Sequence, residues 1–212
     1  MSNIYDYRYY YKDYLDELGV SLDNHFDISP LEKKVELDYQ RIINWSDENI
    51  SRAMVKGYKP RPFIPSHSMK EAVIAQSLGY NDHNTTEINW GIEPEDDAEL
   101  KYLLGPKVFT DLNLNINASM VRLLRYDPGQ CLPLHTDSYS AFKKRFGDKK
   151  TTRYFVAVSP WDWGHFLQVH DNMIHHWEPG YAVEIPNDVF HLSGNCGILP
   201  KYSLTITGHV NE

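Results

Sequence analysis

Asp111-Leu112-Asn113-Leu114-Asn115-Ile116-Asn117 alternates apolar and polar residues one by one. Side chains on an extended chain point to opposite faces in turn, so Leu112, Leu114 and Ile116 line one face and the asparagines the other, as in a half-buried strand. The short period persists downstream. Residues 121–126 read as a strand closed by Asp127-Pro128-Gly129. Residues 154–158, 166–169, 181–185 and 202–207 follow as further strands, separated by Gly, Pro, Asn and Asp. Many short strands punctuated by turns predict a sandwich or barrel.

Upstream the period is helical. Ser29-Pro30-Leu31-Glu32 is a capping box with proline at the first helical position, and Leu31, Val35, Leu37 and Ile42 continue a helical stripe. Ser68-Met69-Lys70-Glu71 is a second capping box, opening a helix that Gly79 ends. Between them the prolines of Tyr58-Lys59-Pro60-Arg61-Pro62-Phe63-Ile64-Pro65 force an extended run. A third helix spans 94–104 and stops at Gly105. The class is therefore α+β. Residues 1–212 form one domain, with 1–105 as a mainly helical support layer and 106–212 as the β core.

Composition narrows the function. With 42% apolar and 13% aromatic residues the chain is globular. No apolar run is long enough to span a membrane. The polar, tyrosine-rich start MSNIYDYRYYYKDYLDELG is unlike a secretory signal. Two cysteines, Cys131 and Cys196, are too few for a disulfide framework and suit a reducing, cytoplasmic compartment. A net charge of −8 argues against a general nucleic-acid binder.

The chemistry is concentrated in Leu132-Pro133-Leu134-His135-Thr136-Asp137. Residues two apart on a strand share a face, so His135 and Asp137 project together, with Cα atoms roughly 6–7 Å apart. His191, in Phe190-His191-Leu192-Ser193-Gly194-Asn195, is the candidate third ligand. Two histidines and one carboxylate on one side of an octahedron leave three positions open, the arrangement of non-haem iron(II) oxygenases. His-x-Asp alone is a weak signal, and His165, His170, His175 and His176 make a fortuitous cluster conceivable. Lys201, ten residues after His191, adds weight. In Lys201-Tyr202-Ser203-Leu204-Thr205-Ile206-Thr207-Gly208, period two puts Lys201, Ser203 and Thr205 on one face, a cation and hydroxyls aligned to receive a buried carboxylate.

From about residue 117 to 208 the sequence resembles the 2-oxoglutarate/iron(II) dioxygenases, nearest to their prolyl-hydroxylase-like branch. The elements occur in order: Tyr126-Asp127-Pro128-Gly129, His135-x-Asp137, Arg153-Tyr154-Phe155-Val156, Trp163-Gly164-His165-Phe166-Leu167, Trp177-Glu178-Pro179-Gly180-Tyr181, His191 with Gly194-Asn195-Cys196-Gly197, and Lys201. The resemblance implies a double-stranded β-helix, a jelly roll related to cupins. It implies Fe(II) on His135, Asp137 and His191, with 2-oxoglutarate as cosubstrate, O2 as oxidant and ascorbate as an added reductant. Lys201 would anchor the distal carboxylate of 2-oxoglutarate, and Tyr126 would line its pocket. A second tyrosine that relatives place in the strand after the loop has no counterpart in Val158-Ser159-Pro160-Trp161, which leaves Ser203 or Thr205 as the further donor.

The implied reaction is hydroxylation of an unactivated C–H bond, in a peptidyl proline, another peptide or a small molecule. Asp137 fills the position a halide would need. The arginine-rich signature of alkylation-repair relatives is replaced by Lys201-Tyr202-Ser203. Two other readings stay open: a non-catalytic cupin-like jelly-roll module, either structural or binding a ligand through its aromatic residues, and a zinc hydrolase on the same three ligands. Finally, Lys143, Lys144, Arg145, Lys149, Lys150 and Arg153 place six basic residues in eleven positions, opposed by Asp148. This stretch reads as a lid over the substrate that steers an anionic peptide or small molecule, or else as a solvated loop.

Overall fold

The computed structural model describes residues 31–56, 87–137, 139–187 and 189–211. The chain begins with β1 (Glu32–Lys34), α1 (Tyr39–Glu48), a 3-10 turn (Ile50–Arg52), β2 (Met54–Lys56), β3 (Glu87–Trp90) and α2 (Pro94–Leu112). It continues through β4 (Leu114–Tyr126), β5 (Gln130–His135), α3 (Ser140–Phe146), β6 (Thr151–Ala157), β7 (His165–Val169) and β8 (Asn172–Ile174). Then come β9 (Tyr181–Ile185), β10 (His191–Asn195) and β11 (Lys201–Val210). The larger sheet has the order β1-β9-β6-β11-β4-β3-β2 and the smaller β5-β10-β7-β8. From β4 onward the chain therefore crosses repeatedly from one sheet to the other, with every pairing antiparallel. This is a jelly roll, a double-stranded β-helix, carrying helices on one side. Among the described residues no helix is long and apolar enough to cross a membrane.

Several expected boundaries move. The stripe starting at Leu31 opens as strand, because Glu32 and Lys34 pair with Val183 and Tyr181 of β9. The helix begins only at Tyr39, where the Asp38 carboxylate accepts the Arg41 backbone N–H at 3.1 Å. Pairing with a sheet edge and a later cap outweigh the local box, which is the usual way tertiary context overrides propensity. β1, β2 and β3 add short strands to the helices in the described part of 1–105. The Ser68 capping box and the extended run 58–65 lie outside the described residues.

The helix from Pro94 does break at Gly105 (φ 71°), then restarts at Pro106 and runs to Leu112, with Asn113 in the left-handed region closing it. Leu112 thus belongs to the helical stripe with Val108 and Phe109 and not to the strand, which starts at Leu114. The expected strands at 111–117 and 121–126 are one continuous β4.

The larger sheet has two unlike faces. Leu100, Leu104, Val108, Phe109 and Leu112 of α2 pack against Val121, Leu123, Leu204 and Ile206 on the outer face. Asp97 fixes this layer by accepting Val121 N–H at 2.7 Å and pairing with Lys101 at 3.1 Å. The alternate residues of β4 and β11 turn toward the smaller sheet. There Phe155, Leu167, Val169, Val183 and Ile185 form a second apolar cluster, and Lys201, Ser203 and Tyr126 are buried.

Candidate metal centre

His135 ends β5 and His191 opens β10, and the two are cross-strand partners. Their rings lie 4.2 Å apart between centroids. Asp137 sits just past the end of β5, and its Oδ2 is 3.4 Å from His191 Nε2. One ligand atom from each of the three residues lies within 4.8 Å of the others. Among the described residues this is the one group of three or more His, Cys, Asp or Glu side chains that can hold a metal ion. The expected constellation is brought together, although Asp137 reaches it from the turn and not from the strand.

Both histidines are presented in the form a metal needs. His135 Nδ1 is 2.8 Å from the Pro133 carbonyl and His191 Nδ1 is 2.9 Å from the Val189 carbonyl. A carbonyl only accepts, so each Nδ1 carries the proton and each Nε2 keeps its lone pair. The local backbone makes this geometry. The pairing shifts between His191/His135 and Ser193/Leu132, so β5 spends three residues where β10 spends two. This bulge accommodates Pro133, which has no ladder N–H to give, and turns its carbonyl back to the histidine.

Arg153 is the residue the sequence reading misplaced. It lies in β6, not in a loop, and its side chain turns inward with Phe155. Arg153 Nη1 donates to Asp137 Oδ2, and its Nε donates to Thr207 Oγ1 at 2.9 Å. The guanidinium lies over the Tyr139 ring at 5.0 Å, and Tyr139 is anchored through its hydroxyl to the Ile185 carbonyl at 2.6 Å. Thus the carboxylate of the triad is oriented by a cation that is itself held in three directions. The period-two phase of Arg153-Tyr154-Phe155 was the available signal. The rest of the expected lid is also more ordered than a loop. Lys143, Lys144 and Arg145 fall on α3, whose Phe142 is buried beside Phe146 and His209, and Lys143 pairs with Asp148 at 2.9 Å.

Lys201 is completely buried on the face that meets the smaller sheet. Its Nζ donates to the Phe166 carbonyl at 2.7 Å and to Ser193 Oγ, and lies 5.0 Å from the Tyr126 ring centroid and 5.5 Å from those of Phe155 and Trp177. Tyr126 is its direct partner in the β4–β11 register. Ser193 stands two residues from His191 on the same face of β10, so one short strand links the triad to the lysine. Ser203 is buried too, and its Oγ has no hydrogen-bond partner. Thr205 continues this face beside Arg122.

The remaining motif residues are architectural. His165 Nε2 meets the Leu199 carbonyl at 2.9 Å, and burial pushes its pKa below the ordinary histidine value. Gly164 (φ 91°) and Gly197 bring two turns backbone to backbone: a Cβ on Gly164 would lie 2.2 Å from Gly197 N, and one on Gly197 2.0 Å from the Trp163 carbonyl. Asn195 ties these turns to the end of β4, donating to the Tyr126 and Leu199 carbonyls at 2.9 and 2.8 Å.

No protein-family model and no curated protein matches this chain. Solved structures do. An uncharacterized conserved protein with a double-stranded beta-helix domain from Klebsiella pneumoniae is 15% identical, over 44% of this chain and 69% of its own, at a TM-score of 0.31. A cupin 2 conserved barrel domain protein from Rhodopseudomonas palustris is 13% identical, over 76% of this chain and 74% of its own, at 0.35. A cupin 2 domain-containing protein from Halorhodospira halophila is 18% identical, over 45% and 55%, at 0.31.

Proposed function

We propose that this chain is a non-haem iron(II), 2-oxoglutarate- and O2-dependent oxygenase that hydroxylates an unactivated C–H bond of a peptide or small molecule. The observation that carries the reading is Lys201: a fully buried cation, joined through Ser193 to the strand that bears His191. A structural metal site or a zinc hydrolase has no use for such a lysine. A keto-diacid with one end at the metal does.

The residues fit the cofactor and cosubstrate. His135 and His191 offer Nε2 lone pairs and Asp137 a carboxylate, the nitrogen and oxygen donors suited to ferrous iron with positions left open. Lys201 would pair with the distal carboxylate of 2-oxoglutarate, and Ser203 Oγ, buried without a partner, is the hydroxyl donor that carboxylate would satisfy. Tyr126 closes the same pocket. Iron(II) with 2-oxoglutarate and O2 supplies the oxidative step: one oxygen atom enters the substrate C–H bond as hydroxyl, the other enters succinate, and CO2 leaves. This chain's part is to hold the three ligands, orient Asp137 through Arg153, and keep water from the aromatic-walled lysine pocket.

The test is reconstitution. Protein stripped of metal and reloaded with Fe(II) anaerobically, then given O2, 2-oxoglutarate and ascorbate, should form succinate without added substrate. His191→Ala should form none. A wild-type protein that binds no divalent metal would instead be a cupin-like binding module. One that binds metal but shows no affinity for 2-oxoglutarate would also defeat the oxygenase reading.

A further inference from the structure

We infer that Arg122, with Asn89 beside it, binds an oxyanion of the primary substrate, so that the molecule hydroxylated carries a carboxylate or a phosphate. The inference deepens the oxygenase reading and rests on it for the word substrate. The anion site itself stands on separate observations.

Arg122 lies in β4 between Val121 and Leu123, which both turn to the helices. Its own side chain therefore points to the opposite face, the one that carries Tyr126 and Lys201, and it is the direct partner of Thr205. It is partly buried, and its guanidinium takes part in no hydrogen bond or ion pair with the described residues. Other arginines here are engaged: Arg52 with Asp96 and Glu99, Arg125 with Asp127, Arg153 with Asp137. A guanidinium offers five donors in a fixed plane that matches a carboxylate or phosphate, and here none of them is taken up by a described side chain.

Asn89 is the independent observation. It is 1% exposed, yet neither its Nδ2 nor its Oδ1 has a hydrogen-bond partner. It pairs with Leu124, so it shares the inward face and stands diagonal to Arg122, roughly 7–8 Å away between Cα atoms. An orphaned amide beside an unengaged guanidinium suits a group that is charged at one end and bears an N–H or C=O next to it.

Charge points the same way. β4, β6, β9 and β11 present Arg122, Arg153 and Lys201 on this face and no carboxylate, and Asp137 enters from the turn after β5. With a divalent ion and the 2-oxoglutarate dianion in place, this space still holds more positive than negative charge. A second anion would balance it. The anchor for an anionic substrate is then inside the barrel, and not among the exposed lysines of α3.

The test uses the full chain loaded with Mn(II) and saturating 2-oxoglutarate, with inorganic phosphate and propionate as the two probes. Paramagnetic broadening of their phosphorus and proton resonances reports binding near the metal. At least one probe should bind, about 10-fold or more weakly in Arg122→Gln and with partial recovery in Arg122→Lys, while 2-oxoglutarate affinity stays unchanged. The stronger probe identifies phosphate or carboxylate as the substrate's group. Equal broadening in wild type and Arg122→Gln would overturn the proposal. So would a loss of 2-oxoglutarate affinity in Arg122→Gln, which would make Arg122 a cosubstrate ligand. If Mn(II) and the probes bind in an Arg122-dependent way but 2-oxoglutarate does not bind, the anion site stands and the oxygenase reading falls.

Discussion

Replacing Lys201 with methionine separates the chemistry of this pocket from its packing. The two side chains have similar length and volume, so the walls formed by Tyr126, Phe155 and Trp177 remain filled. What is lost is a charge with no exposure to solvent and its hydrogen bonds to the Phe166 carbonyl and Ser193 Oγ. Leaving those two acceptors short of a donor costs about 1–3 kcal/mol, partly offset because no ammonium need be buried. Folding should survive. For a desolvated, hydrogen-bonded charge pair the loss on removing one partner is about 2–5 kcal/mol, so the affinity for 2-oxoglutarate should fall roughly 30-fold or more. Calorimetric titration of Mn(II)-loaded protein under anaerobic conditions measures it directly. Mn(II) affinity should be close to wild type, since Lys201 contacts no ligand atom of the triad. An affinity for 2-oxoglutarate within about 3-fold of wild type would refute the carboxylate role.

His191→Ala removes a ligand whose tautomer is set by Val189, and stoichiometric Mn(II) binding in a chelator competition should disappear; retention would show that the ion sits elsewhere. Arg153→Gln strips Asp137 of its guanidinium and should destabilise the metal-free protein by about 1–3 kcal/mol, with Mn(II) restoring part of the loss. An equal loss with and without Mn(II) would mean that the pair does not serve the site. At high pH the fold should weaken through Tyr154 and Tyr202, whose burial pushes both hydroxyls from the usual 10 up to about 12. Below pH 10 both are protonated in either state and contribute no pH dependence. Between about 10 and 12 the unfolded chain has released protons that the folded chain keeps, so stability falls as pH rises, by at most about 3 kcal/mol per tyrosine. Denaturant midpoints at pH 9 and 11 should show the drop, and it should shrink in Tyr154→Phe; a flat profile would remove the tyrosines from the account.

Much of this site was legible because its signals are local. Lys201 and Ser203 are two residues apart on one strand, where a two-residue period carries facing information without any knowledge of partners, and His135 and Asp137 are neighbours in sequence that meet although Asp137 lies past the end of β5. The class of fold followed from the same period. What was not legible depended on partners. His191-Leu192-Ser193-Gly194-Asn195 was not among the expected strands, yet it is β10, because β5 and β7 pair with it on either side and Gly194 lets it lie under the Phe166 ring, where a Cβ would come within 2.6 Å of Cζ. Glu32-Lys33-Lys34 looks like the start of a helix and is an edge strand, because β9 offers it a ladder. Arg153 reads as one more charge in a basic run until β6 is paired between β9 and β11, which puts it opposite Ile185 and Thr207 and turns it toward Asp137.

Register couples these parts. The smaller sheet holds both imidazoles, and the larger holds the cations Arg122, Arg153 and Lys201. The side-chain contact between Ser193 and Lys201 joins the strand of His191 to the larger sheet. Because alternate residues of β10 face opposite ways, a slip of one residue would turn His191 and Ser193 outward together, dismantling the triad and the lysine pocket in one step. Three features oppose that slip. Gly194 admits Phe166 only in the observed register. The bulge at Pro133 fits three residues of β5 against two of β10 only at the histidine pair. Asn195, fully buried, fixes the far end of the strand to the Tyr126 and Leu199 carbonyls. The residues that look least chemical in this stretch, a glycine, a proline and an asparagine, are therefore the ones that hold the candidate metal triad and the buried lysine in a common frame.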